Sequence, residues 1–156
     1  MDRKTLSRLF SQYGNDVFRL ALSYLGNRAD AEDVCQTVFL KLASSNPILI
    51  PGKEKAWLLT CAANESRNLL KSFWRRNTGA LDETLQFISK EDSDLWEIVQ
   101  RLPPRYRGVV HLYYYEGYDQ AEIATILKIS RSCVQTRLSR ARDLLRKELK
   151  DDETTL

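Results

Sequence analysis

The 156-residue chain has little of what most catalytic sites are made from. It contains one histidine, His111, set between Val110 and Leu112, and three cysteines, Cys35, Cys61 and Cys133. The cysteine gaps match neither a CxxC pair nor a zinc-ligand spacing, and an odd count points to reduced thiols packed in the core. A lone histidine in an apolar run reads as a packed or interface side chain rather than a catalyst. There is no Ser/His/Asp set, no GxxxxGK[ST] phosphate loop and no HExxH pair. No apolar run reaches the roughly 18 residues a membrane helix needs. The opening MDRKTLSRLFSQYG has no apolar stretch fit for a secretory signal. These absences disfavour a hydrolytic or metal enzyme and a membrane-spanning protein. We expect a cytoplasmic protein with no catalytic residues, no metal and no cofactor. With 43% hydrophobic and 29% charged residues, the chain has enough apolar content for a packed core.

What is present is unevenly placed charge. Residues 48–77 hold six basic against two acidic side chains, residues 78–100 one against six, and residues 101–150 eleven against five. Two basic blocks separated by an acidic stretch suggest two surfaces for a polyanion joined by a linker. Charge alone leaves ordinary solvated faces equally open.

Apolar residues recur at spacings of three and four throughout, and no strand pairs are evident. Leu6, Leu9, Phe10, Tyr13, Val17, Leu20, Ala21 and Tyr24 form the first amphipathic helix, which Gly26 and Asn27 end. A second opens at Asp30, whose side chain is expected to cap it, with the stripe Ala31, Val34, Cys35, Val38, Phe39 and Leu42. Residues 44–52, SSNPILIPG, break it with two prolines and a glycine. A third helix runs from about Lys53 to Arg76 over Trp57, Leu58, Cys61, Ala62, Leu69 and Phe73, with Trp57 expected in the core. Residues 77–94 read as a flexible linker, within which Leu81, Leu85, Phe87 and Ile88 could form a short docking helix. A helix over Leu95–Leu102 stops at Pro103-Pro104, and the next spans Arg105 to Glu116 before Gly117. Asp119 to Glu122 resembles a capping box, and Ser130 can cap a last helix reaching about Lys150. The fold expected is all-α, with two small helical domains, residues 1–76 and 95–150, joined by the linker 77–94.

Two short helices joined by a tight turn near 128–130 fit a helix-turn-helix. At about 100° per residue, Val134, Leu138, Ala141 and Leu145 share one side of the last helix. Ser132, Thr136, Ser139 and Arg140 point the other way, with Arg131 and Gln135 on the flank. That outward face is small, polar and cationic, as a major groove admits, and such side chains hydrogen-bond base edges or phosphates. Arg137 and Arg142 lie at its sides, where backbone phosphates run.

At this point the residues resemble a known family. The run LPPRYRGVVHLYYYEGYDQAEIATILKISRSCVQTRLSRARDLLRKEL (102–149) looks like region 4 of bacterial sigma factors. DAEDVCQTVFLKL (30–42) resembles their region 2.2, and KAWLLTCAANESRNLLKSFWRR (55–76) their regions 2.3 and 2.4. The order of the blocks and the short linker resemble the extracytoplasmic-function (group 4) sigma factors of the sigma-70 superfamily. The resemblance implies a promoter-specificity subunit of RNA polymerase. It places Asp30, Asp33, Gln36, Thr37 and Phe39 against the β′ clamp of core polymerase. It places Asn64, Arg67, Asn68, Lys71 and Arg75, with the loop 44–52, at the −10 element, and Trp57 and Trp74 as possible stacking partners for its bases. It assigns Arg131, Ser132, Gln135, Thr136, Arg137 and Arg140 to the −35 duplex, and region 4 also meets the β flap. It further implies an anti-sigma factor, for which Tyr113, Tyr114, Tyr115 and Tyr118 are either contacts or simply region 4 core. The acidic linker would thread toward the RNA exit path. Lys128 stands where the family often has glycine, at a steric cost if the backbone there is left-handed. Gln120, Cys35 and Thr37 also depart from the commoner pattern. The rival reading is a stand-alone helix-turn-helix regulator that binds an operator without polymerase.

Overall fold

The computed structural model describes residues 1–76, 97 and 99–154, with the backbone alone for 75, 76 and 149–154. The chain divides into two units, Met1–Gln86 and Phe87–Leu156. Every described element is helical. The expected linker helix and the acidic stretch lie outside the described residues, except at Glu97, Val99 and Gln100, which are helical.

In the first unit, helix α1 (Arg3–Leu25) begins where the Asp2 carboxylate accepts from the Thr5 amide at 2.9 Å. It ends at Gly26, left-handed at φ 69°, whose N–H donates to the Leu22 carbonyl at 2.8 Å. A side chain at Gly26 would pay the left-handed penalty that glycine escapes. Helix α2 (Arg28–Ser45) starts earlier than the sequence suggests. Its cap is Asn27, whose side-chain oxygen accepts from the Asp30 amide at 3.1 Å, so Asp30 belongs to the first turn. Helix α3 (Glu54–Arg76) is the third described helix of this unit. Leu9, Val17, Leu20 and Tyr24 of α1 meet Val34, Val38 and Leu42 of α2 and Leu58, Leu59 and Ala62 of α3 in the core. The inward strip of α3 is rotated from the one expected. Leu59, Ala63 and Ser66 are buried, whereas Trp57 and Cys61 are half-exposed at its edge. All three cysteines are half-buried thiols outside any disulfide rather than packed in the core. Lys41 of α2 pairs with Glu65 of α3, and Arg8 of α1 reaches Glu54 at 3.2 Å, tying the three helices together at the surface.

In the second unit, Pro103 caps helix α4 (Pro104–Val110) and Pro104 occupies its first turn, where a missing N–H costs nothing. The expected single helix to Glu116 instead switches at His111–Tyr115 into a π-turn, closed by the Glu116 amide on the His111 carbonyl at 3.1 Å. Gly117, at φ 74°, ends it. Helix α5 (Gln120–Leu127) opens with the full reciprocal capping box. The Glu122 amide donates to Asp119 Oδ1 at 2.8 Å, and the Asp119 amide donates to Glu122 Oε1 at 3.0 Å. Lys128 then turns left-handed, φ 56°, and Ser130 Oγ accepts from the Cys133 amide at 3.0 Å to start helix α6 (Arg131–Thr154). Val109, Leu112, Ile123, Leu127, Val134 and Leu138 fill the core, and Val99, Leu102, Tyr106, Val110 and Ala141 form a neighbouring cluster backed by Leu145. Arg107 is drawn into this unit, donating to the Leu102 carbonyl at 2.8 Å. Burial pushes its guanidinium pKa down to about 10.

Candidate nucleic-acid and polymerase interfaces

Three surfaces carry the residues singled out from the sequence, two on the first unit and one on the second. Along α2, Asp33 and Gln36 stand exposed, and Leu40, 69% exposed, continues their stripe. Thr37, half-buried, turns its hydroxyl back to donate to the Asp33 carbonyl at 2.9 Å. Asp30 is half-buried, and its carboxylate accepts from the Asn27 amide group at 2.8 Å. Burial first and the neighbouring Asp33 second raise its pKa above the ordinary carboxylate value. Phe39 points inward, 7% exposed, with its ring edge-on to Phe10 at 5.1 Å. The outward apolar groups here are Leu40 and Phe10, the latter 54% exposed. Sequence periodicity had Phe10 in the α1 stripe and passed over Leu40, which lies one position beyond Phe39. An acid, an amide and two apolar groups on one face suit a partner helix that is basic and partly apolar.

The second surface joins the loop after α2 to α3. Asn46 closes α2 in the left-handed region, the one non-glycine side chain that adopts it with little penalty besides aspartate. Between Pro47 and Pro51, Ile48 projects fully into solvent and Ile50 is 62% exposed. The loop's far end is fixed by the Gly52 amide donating to Glu54 Oε1 at 3.0 Å, while Glu54 Oε2 holds Arg8. On α3, Asn68 and Lys71 are exposed. Arg67 lies along its own helix, donating to Asn64 Oδ1 at 2.7 Å and to the Ala63 carbonyl at 3.3 Å. Asn64 and Arg67 therefore act as one ordered polar group. Arg75 continues the same stripe in the backbone, and Trp74 beside it is 57% exposed. Exposed isoleucines, an exposed tryptophan and amide and cationic groups are the ingredients for holding an unstacked base.

The third surface is the outward side of α6. Arg131, Ser132, Gln135, Thr136 and Arg140 are exposed and Arg137 is half-buried, over a buried strip of Val134, Leu138 and Ala141. An open groove of about 390 Å³ runs along one flank, with Ser132, Thr136, Arg137 and Arg140 on one wall and Arg105 and Tyr106 of α4 on the other. Arg105 donates to the Tyr106 hydroxyl at 3.4 Å and stacks over its ring at 4.7 Å. Hydrogen bonding from Arg105, and then from Arg140, holds the Tyr106 phenol below its ordinary pKa. Arg105 is the cation that sequence reading missed. Its one signal was its place beside the two prolines, which says nothing of what lies across the groove. Among the described residues no group of His, Cys, Asp and Glu could hold a metal ion, and no helix is long and apolar enough to cross a membrane.

A helix-turn-helix with a cationic outward face, on a chain whose other unit is a separate three-helix module, defines a class of bipartite, all-helical nucleic-acid-binding protein. Family comparison narrows that class. Residues 9–77 match the model for sigma-70 region 2, and residues 93–145 match the model for sigma-70 region 4. The chain is 31% identical over 150 residues to the RNA polymerase sigma factor SigV of Bacillus subtilis, covering 92% of this chain and 90% of that one. It is 30% identical over 151 residues to the ECF sigma factor SigE of Mycolicibacterium smegmatis, covering 88% of this chain and 59% of that longer protein. The fold is shared with the sigma factor RpoE of Bartonella quintana, solved with the anti-sigma factor NepR. The TM-score is 0.79 at 23% identity, over 94% of this chain and 98% of that one. The chain belongs to the extracytoplasmic-function sigma factors of the sigma-70 family. Its function is that of the family, directing RNA polymerase to promoters, and the stand-alone regulator is not favoured.

Proposed function

We propose that the two units divide promoter recognition between them while core polymerase holds both. Residues 1–76 form the clamp-binding and −10 module, residues 95–150 the −35 module, and residues 77–94 the connection. Asp30, Asp33, Gln36 and Thr37 contact the β′ clamp, with Phe39 supporting that face from below through Phe10. Asn64, Arg67, Asn68, Lys71 and Arg75 hold the opened −10 strand. Arg131, Ser132, Gln135, Thr136, Arg137 and Arg140 read the −35 duplex and its phosphates. The observation that carries this reading is the outward face of α6, where hydroxyl, amide and guanidinium groups stand over a fully apolar inner strip. Two weak contacts on one polymerase raise effective concentration and impose a spacing between the elements.

The protein acts without chemistry of its own: base capture, not nucleotide hydrolysis, drives strand opening. It works in the cytoplasm, and an anti-sigma factor restrains it, as the solved complex of the similar sigma factor RpoE with the anti-sigma factor NepR suggests. Run-off transcription and core-binding assays on two variants test the residue roles. Arg140→Ala should weaken −35-dependent initiation with core binding intact, and Asp33→Lys should weaken core binding with DNA preference intact. If both leave transcription unchanged, the assignments fail. A gel shift on duplex promoter with and without core polymerase tests the shared architecture: equal affinity without core would refute it.

A further inference from the structure

Opposite the Arg105 groove, the other flank of α6 carries a second arginine with an unusual neighbour. Arg142 follows Gln135 by seven residues, which returns it to within about 20° of the same face. Its Nε–H donates to the Tyr114 hydroxyl at 2.9 Å, and its guanidinium lies 5.6 Å from the centre of the Tyr113 ring. The two tyrosine rings meet edge to face at 4.9 Å, so they form a single cradle. The cradle exists because of the π-turn. The extra residue in His111–Tyr115 changes the angular position of each side chain relative to a regular helix, and π-turns of this kind often mark functional sites. Tyr115 stacks on the buried His111 ring at 5.2 Å and fixes the turn from the other side.

The arrangement is costly for a merely decorative arginine. Tyr114 stays 54% exposed, and among the described residues no carboxylate neutralises Arg142. Arg146, one turn further on, shows the contrast, pairing with Asp143 at 3.7 Å in open solvent. Arg142 keeps its full charge, which the hydrogen bond to Tyr114 reinforces by raising its pKa. Its rotamer freedom is spent before any ligand arrives, which lowers the cost of binding. The bond uses Nε, and the terminal nitrogens are the groups that grip phosphate oxygens.

We propose that Tyr114, helped by the Tyr113 ring, is a positioning residue that holds Arg142 ready to clamp a DNA backbone phosphate beside the −35 element. This rests on the reading of α6 as the −35 helix. It adds a contact built from outside the helix-turn-helix, on the flank away from Arg105.

The test uses the full chain assembled with core polymerase and labelled promoter duplexes carrying different −35 sequences, with affinity measured across a salt series. Arg142→Ala should weaken all the duplexes by the same factor and lower the slope of log affinity against log salt by about 0.9, the loss of one phosphate contact. Arg142→Gln should do the same with the side-chain bulk retained. Tyr114→Phe, which removes only the hydroxyl, should weaken binding roughly three- to tenfold and should add nothing in the Arg142→Ala background. A methylphosphonate at the clamped phosphate should abolish the difference between Tyr114→Phe and the parent, which a purely structural role for the hydroxyl would not do. Gln135→Ala reports on the underlying reading by altering preference among −35 sequences. If Gln135→Ala shifts that preference while both Arg142 variants bind with the parent affinity and slope, the clamp is overturned and the −35 reading stands. If Tyr114→Phe costs as much with Arg142 absent as present, the positioning role is overturned. If Gln135→Ala changes no preference, the −35 reading falls and the clamp with it.

Discussion

Lys128 offers a direct measure of how far local strain was accepted to make the helix-turn-helix. It sits at φ 56° and ψ 46°, with its own N–H bonded to the Ala124 carbonyl, and Ile129 donates to the same carbonyl at 3.1 Å. The turn is therefore fixed by backbone bonds, and the lysine side chain is exposed. A residue with a Cβ pays roughly 1–2 kcal/mol in this conformation. Glycine escapes that cost but returns about 0.4–1 kcal/mol through the extra freedom of the unfolded chain. Lys128→Gly should thus stabilise the second unit by about 0.5–1 kcal/mol, a rise of a few degrees in its melting temperature. Lys128→Asn should fall between, and Lys128→Ala, which loses the charge and keeps the strain, should melt near the parent. The assay is thermal unfolding of the full chain followed by the amide signals of α5 and α6, which isolates this unit from the first. A glycine variant melting at or below the alanine variant would refute the strain argument, because charge removal is common to both.

Three further outcomes follow from particular contacts. Asp119→Ala removes the carboxylate that accepts from the Glu122 amide while the residue 119 N–H can still donate to Glu122, and should cost about 1 kcal/mol, measured by denaturant unfolding of the second unit; an unchanged midpoint would mean water replaces the cap without loss. Leu58→Ala, at a fully buried position in the first unit, should cost about 2–5 kcal/mol and leave the second unit's transition in place, read by the same two-unit melt. Tyr106 should ionise below the ordinary phenol value, since hydrogen bonding from Arg105 and then from Arg140 favours its phenolate. In the alkaline range between its folded and unfolded pKa values the unfolded chain binds more protons, so stability rises with pH there. Tyrosinate absorbance should show this early step, and Arg105→Ala should move it to higher pH; a step indifferent to that change would contradict the assignment.

The elements legible in the sequence are those set by interactions that close within one turn. Gly26 after α1, the Asp119–Glu122 box, Ser130 before α6 and the Pro103-Pro104 break are each recognisable without knowing the rest of the fold, because each satisfies backbone groups three or four residues away. The α2 start was misplaced for a related reason. Asn27 and Asp30 are both good caps, and only the backbone decides which stands at the extended position. The left-handed turn at Lys128 was visible as a conditional cost, and the φ value supplied the condition.

Amphipathic periodicity alone determined that the described elements of this chain are helices and that α6 has a polar, cationic side, since period and burial are linked through 3.6 residues per turn. Tertiary structure decided which way each helix is turned against its neighbours, and an error of one residue moves a side chain by about 100°. That rotation buried Phe39 and exposed Leu40, left Trp57 at an edge, and set Arg105 across a groove from Arg140. The extra residue of the π-turn brought Tyr114 to Arg142, 28 positions along the chain. No local pattern encodes such a meeting, because it depends on the packing of two helices whose contact surfaces are fixed only when the whole unit closes.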